Sequence, residues 1–139
     1  MQINKIKSFL FAFSIVTFYL ADGQDQKDFK CALLNTAIET KVFLTHFYVC
    51  EFDDELTIID TSRYFKGCDL MKKCNTNLLL SNQADSLKAK SSIVLYKIEN
   101  IGNIYRLYFY RPRSGITLTL KFKKKKRKFK LLGHDLGAI

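Results

Sequence analysis

The stretch that decides the fold reads ITLTLKF at residues 116–122. Isoleucine, leucine and phenylalanine occupy every second position, and threonine or lysine stands between them. Because successive side chains of a strand point to opposite faces of a sheet, this pattern predicts a β-strand with one buried and one solvated face.

Three further strands are predicted around this one. Residues 93–98 and 104–111 are rich in β-branched and aromatic side chains, and turn-forming residues separate them from each other and from the alternating strand. A last strand, with apolar side chains at alternate positions, follows and ends near Gly133. The sequence therefore predicts a four-stranded antiparallel meander over about residues 92–132.

The first part of the chain has helical periodicity instead. Over residues 24–41, Phe29, Leu33 and Ala37 recur at spacings of four, which predicts a helix with an apolar stripe. Residues 42–50 are rich in β-branched and aromatic side chains. Either the helix continues there, straight or kinked, or a strand begins, and we favour the helix. Together with the meander, this predicts an α+β fold.

Four cysteines, Cys31, Cys50, Cys68 and Cys74, predict two disulfides, and their spacing does not match a zinc or redox motif. A continuous helix would separate Cys31 from Cys50 by about 28 Å at 1.5 Å per residue, so that each would pair with Cys68 or Cys74. A strand that turned back would permit a bond between Cys31 and Cys50. The connectivity stays open at this point.

The N-terminus has the pattern of a secretory signal peptide over residues 1–23. Lys5 and Lys7 precede an apolar stretch that ends at Leu20, and small residues follow at the expected cleavage site. We therefore expect an extracellular protein whose mature part, residues 24–139, is one domain without a transmembrane segment.

Eight of the ten residues 121–130 are lysine or arginine. The net charge is +10 for the whole chain; it falls to +9 without residues 1–23 and to +1 without these eight charges as well. The run therefore predicts a basic hairpin that binds a sulfated glycan or an anionic lipid surface, and the alternative is a device for solubility and edge protection. Nucleic acid is disfavoured as a partner by the secretory signal. The candidate polyanion-binding residues are Lys121, Lys123, Lys124, Lys125, Lys126, Arg127, Lys128 and Lys130.

The order of an N-terminal helix, an irregular stretch and a meander resembles the cone-shaped α+β domains of the nuclear transport factor two superfamily. Residues 92–98, 104–109 and 127–132 carry this resemblance. It implies a helix packed on a curved antiparallel sheet with an apolar concavity, and hence a small-molecule or lipid carrier as the alternative function. The residues expected to line such a pocket are Tyr105, Leu107, Phe109, Leu118 and Leu120.

No catalytic, cofactor or metal-binding motif is recognisable in the sequence. An enzyme on this fold would need His46, or an acidic residue, directed into the cone. The sequence therefore predicts a non-enzymatic binding protein that has no catalytic residues, no cofactor and no metal.

Overall fold

The structure is a computed structural model that describes residues 25–51, 55–82 and 91–139. The predicted signal peptide, residues 1–23, lies outside these ranges. Helix α1 covers residues 25–39 and helix α2 covers Lys41–His46. Thr40 separates them as the N-cap of α2, where its side chain accepts a hydrogen bond from the Phe43 amide. A 3₁₀ turn at Val49–Glu51 follows, so residues 42–50 form a kinked helical continuation and not a strand.

Six strands form one sheet in the order β2-β1-β3-β4-β5-β6. The predicted meander is confirmed, because β3 to β6 are consecutive antiparallel neighbours. The strands are β1 (Glu55–Asp60), β2 (Asn77–Ser81), β3 (Ser92–Ile101), β4 (Ile104–Tyr110), β5 (Ile116–Lys125) and β6 (Lys128–Ala138).

The expectation of a purely antiparallel sheet was wrong. Strand β1 pairs in parallel with both β2 and β3, so the sheet is mixed. The chain between β1 and β2 must return to the same end of the sheet before it pairs, which is the requirement of any parallel connection. Asp60, the last residue of β1, stabilises the first turn of this connection. Its buried carboxylate accepts hydrogen bonds from the Ser62 and Phe65 amides.

The last strand is longer than expected. It does not end near Gly133 but continues to Ala138, and the register with β5 shifts by one residue next to Phe122. This bulge at Leu132 keeps the apolar residues on both sides of it, Leu131 and Leu136, on the same face of the sheet.

The helices pack on one face of the sheet and form the core with it. The predicted stripe is confirmed in α1, where Leu33, Leu34, Ala37 and Ile38 are fully buried. Two disulfides join Cys31 to Cys68 and Cys50 to Cys74. Each of the two N-terminal cysteines thus pairs with one of the later two, as the helical alternative required.

Candidate functional site

The basic run forms the β5–β6 hairpin and its turn. Strand β5 ends at Lys125, Lys126 and Arg127 make a two-residue turn, and β6 begins at Lys128. Lys126 has a φ of +56°, in the left-handed region that glycine or asparagine adopts more readily. A lysine at this position places charge at the tip at a conformational cost of about 1–2 kcal/mol.

The eight candidate residues do not all face the same way. Lys124 lies on the face that carries the helices, with its Nζ 4.3 Å from the centroid of the Phe29 ring. Lys126 and Arg127 occupy the tip. The other five alternate with buried or half-buried residues of β5 and β6, and they therefore lie on the opposite, outer face of the sheet. These five are Lys121, Lys123, Lys125, Lys128 and Lys130.

A sixth cation, Arg106 of β4, joins the same face because it stands directly opposite Lys121. We call these six residues the basic face. Register places its members in three pairs, each directly opposite across neighbouring strands, where Cβ atoms lie about 4.5–5.5 Å apart. The pairs are Arg106 with Lys121, Lys123 with Lys130, and Lys125 with Lys128.

Like charges in such positions destabilise a sheet unless a counter-charge is near. Among the residues that the structure describes, only Arg106 of the basic face has a carboxylate within 4 Å, at 3.7 Å from Glu99. The five lysines of the face have none in these ranges. The five lysines are therefore uncompensated by the described residues, and a bound anion would relieve the repulsion between them.

Glu99 lies at one border of the basic face. Its Oε1 is 2.8 Å from Lys97 Nζ and accepts a hydrogen bond of 2.9 Å from the Tyr108 hydroxyl. The bond from Lys97, and next that from Tyr108, lower the pKa of the Glu99 carboxyl, and the same contact raises the pKa of Lys97. Glu99 is thus engaged with Lys97 and Tyr108 more closely than with Arg106.

We expect this carboxyl to titrate below its ordinary range, which carbon-detected NMR of Glu99 would measure. Because the folded-state pKa is lowered, the interaction contributes fully above the ordinary pKa and is lost as the pH falls through the lowered value. Lys97→Met should return the Glu99 pKa toward the ordinary value, and Tyr108→Phe should do so to a smaller extent. An ordinary pKa in the parent protein would contradict the geometry.

The five residues predicted to line a pocket lie in the hydrophobic core. They are 0–7% exposed and pack in one cluster with Leu33, Phe43 and Phe47 of the helical segment. Phe109, for example, has its ring centroid 5.2 Å from that of Phe43. A ligand would reach these side chains only if the helices moved away from the sheet. The five buried residues that were predicted to line a pocket are Tyr105, Leu107, Phe109, Leu118 and Leu120.

His46 is the histidine that an enzyme on this fold would need. Its Nε2 lies 2.9 Å from the carbonyl oxygen of Thr117. This bond joins α2 to β5 and gives the ring a packing role. Within the described ranges, no group of three His, Cys, Asp or Glu side chains is placed to hold a metal ion. None of the described helices is long and apolar enough to cross a membrane.

Two grooves flank the hairpin on the helix side of the sheet. One, of about 490 Å³, lies between the first described turns of α1 and the basic tip, and Asp25, Phe29 and Lys124 are among its lining residues. The other has the same volume and lies between α2 and β6, beside His46 and Leu136. Neither of them is lined by a residue predicted to form the pocket.

The sequence pattern indicated the lysines of the basic face but not their pairing. Arg106 alternates with buried residues on β4, as Tyr108 and Tyr110 do, and so lies on the outer face. Its place opposite Lys121 depends on the length of the turn between β4 and β5. That turn is closed by hydrogen bonds between the backbones of Arg111 and Ile116 and of Gly115 and Arg111.

Comparison of the chain with protein-family models, curated proteins and solved structures finds no match. The resemblance to the nuclear transport factor two superfamily therefore stays a prediction, and the function has to be argued from the surface itself.

Proposed function

We propose that this chain is a secreted, non-enzymatic binding protein that engages an extracellular polyanion through the basic face. The observation that carries the proposal is the set of three like-charged pairs directly opposite one another on neighbouring strands. Such pairs cost stability in the free protein, and an anionic ligand would convert that cost into binding energy.

The two disulfides support the extracellular part of the proposal. Disulfides persist in oxidising compartments and are rare in the cytosol, so Cys31–Cys68 and Cys50–Cys74 are compatible with an exported protein. Lys126 supports the binding part, because it keeps a charge at a turn position that glycine or asparagine would occupy with less strain.

The alternative role of the lysines, protection of a sheet edge, applies to only part of the basic face. Strand β6 is an edge strand, so Lys128 and Lys130 meet that description. Strands β4 and β5 are interior, so four members of the basic face protect no edge: Arg106, Lys121, Lys123 and Lys125. Edge protection therefore leaves four of the six residues of the basic face unexplained, whereas polyanion binding uses all of them.

Retention on a heparin column tests the proposal. The combined variant Lys123→Gln, Lys125→Gln and Lys128→Gln should elute at a clearly lower sodium chloride concentration than the parent protein. Its slope of log retention against log salt should fall by about one for each lysine that touches the polyanion. The reason is that ion contacts with a polyanion release counterions, and removing a contact removes that release.

The matched control removes three exposed lysines elsewhere, Lys41→Gln, Lys66→Gln and Lys72→Gln, and so makes the same change in net charge. We expect its elution to stay close to that of the parent protein. Equal shifts in the two variants would show that total charge, and not the basic face, determines retention, and would overturn the proposal.

A further inference from the structure

Two hairpin turns lie side by side at one end of the sheet. The β3–β4 turn is formed by Gly102 and Asn103, and the β5–β6 turn by Lys126 and Arg127. The Lys124 amide donates a hydrogen bond of 2.8 Å to the Asn103 carbonyl oxygen, which holds the two hairpins together. Whatever approaches the basic tip therefore also meets the β3–β4 turn.

Isoleucines and lysines share one row of the outer face at this end. Ile101 stands opposite Ile104, Ile104 opposite Lys123, and Lys123 opposite Lys130. Ile101 is 73% exposed, the most exposed large apolar side chain within the described strands. It thus places apolar surface in water immediately beside uncompensated positive charge.

A shallow cavity of about 170 Å³ lies between these two kinds of side chain. It is lined by the apolar Ile101 and Ile104 and by three charged side chains, those of Glu99, Arg106 and Lys121. The cavity thus has an apolar wall, two cationic groups and one carboxylate, and that carboxylate is already bonded to Lys97 and Tyr108. A phosphate attached to an apolar body matches that lining, since guanidinium and ammonium groups both bind phosphate.

We infer that the polyanion is the surface of a bilayer containing anionic phospholipid. The basic face binds the headgroups, and Ile101 enters the interface with the acyl chains. This inference rests on the proposed function and specifies its ligand. A sulfated glycan would satisfy the lysines equally well, but it gives no role to two isoleucines in the same row. Peripheral membrane binding generally combines such apolar contact with electrostatic attraction.

The expected magnitudes follow from the two contributions. A basic residue close to an anionic membrane surface contributes about five-fold in affinity. Burial of most of the Ile101 side chain contributes about ten-fold, and its replacement by serine removes that gain. Because serine leaves the charge unchanged, Ile101→Ser should weaken membrane binding while leaving heparin retention as it was. This separation distinguishes the inference from the proposed function.

The test uses the oxidised protein and sedimentation of vesicles made of phosphatidylcholine alone or with about a third of phosphatidylserine. The parent protein should bind the vesicles with phosphatidylserine and not the others, and Ile101→Ser should bind them five- to ten-fold more weakly. Met71→Ser is the matched control, because Met71 is 59% exposed and lies away from the basic face. It should bind as the parent does.

Tryptophan fluorescence gives a second test, because the chain contains no tryptophan and an introduced one is the only source of indole emission. In Ile101→Trp, fluorescence emission should shift to shorter wavelength on addition of phosphatidylserine vesicles, as the indole enters the interface. In Met71→Trp it should stay constant. This measurement does not depend on a loss of binding, so a poorly folded serine variant would not obscure the result.

The outcomes are separable. Retention on heparin without binding to phosphatidylserine vesicles would overturn the inference, keep the proposed function and identify a sulfated glycan as the better ligand class. Vesicle binding that is unchanged by Ile101→Ser, with no shift in Ile101→Trp, would also overturn it. If the protein binds neither heparin nor vesicles, the proposed function is overturned together with the inference.

Discussion

Phe109→Ala is expected to lower the free energy of unfolding by about 3–5 kcal/mol. Phe109 is fully buried near the end of β4, opposite Leu118 of β5. Its ring centroid lies 5.2 Å from that of Phe43 and 6.4 Å from that of Phe47, in edge-on contacts. Truncation would remove these contacts and leave a cavity between the sheet and the helices, which the packed surroundings can fill only in part.

Guanidinium chloride unfolding followed by circular dichroism would measure this loss. Leu136→Ala is the control, because Leu136 lies on the same face of the sheet but is 56% exposed. It should cost less than about 1 kcal/mol, as most exposed substitutions do. Phe109→Leu, which keeps much of the apolar volume, serves if the alanine variant does not fold.

The result bears on function as well as on stability. Phe109 was one of the five residues expected to line a ligand pocket. A side chain that lines an open pocket has fewer protein contacts to lose, so its truncation would be tolerated. A loss below about 1 kcal/mol for Phe109→Ala would therefore contradict its place in the core and would favour a carrier.

Replacement of Cys31 and Cys68 together by serine is expected to cost about 2–4 kcal/mol. The bond closes 37 residues of chain and joins α1 to the segment that follows β1. In the chain-entropy account, its removal gives the unfolded state more conformations, and a longer closed segment gives a larger effect. Cys68 is also 7% exposed within the core cluster, so serine would introduce a hydroxyl there.

The matched control is the other bond. Cys50 and Cys74 are 24 residues apart and exposed, so their joint replacement should cost less than that of Cys31 and Cys68. Peptide mapping without reduction would test the connectivity independently. A cross-linked peptide pair containing Cys31 and Cys50 would contradict the structure, whatever the stability of the serine variants.

Local pattern predicted the meander because each of its pairs joins consecutive strands. The alternation in residues 116–122 defines which side chains share a face, and short turns then fix the neighbours. The basic face followed in outline from the same alternation. The pairing of these residues could not be predicted. The two lysine pairs between β5 and β6 depend on a two-residue turn at Lys126 and Arg127, which no glycine or asparagine marks, and the place of Arg106 depends on the exact length of the turn before Ile116.

Two features lie beyond any local pattern. The parallel pairing of β1 with β3 joins segments separated by two stretches of chain and by β2, and nothing in the residues Leu56 to Asp60 indicates a parallel partner. The second feature is that the helices cover the apolar face of the sheet. Periodicity placed Leu107, Phe109 and Leu118 on one face, but it could not show that the helices would cover these side chains.

The parallel placement of β1 beside β3 has a consequence for the order in which the protein can fold. The apolar stripe of α1 is covered by β4 and β5, which are synthesised about 80 residues later, or roughly 5–15 s at ribosomal rates. Central strand β3 must also exist before β1 can acquire its second neighbour. Until these strands have emerged, Leu33, Leu34 and Ile38 have no sheet to cover them, and the nascent chain exposes this apolar stripe.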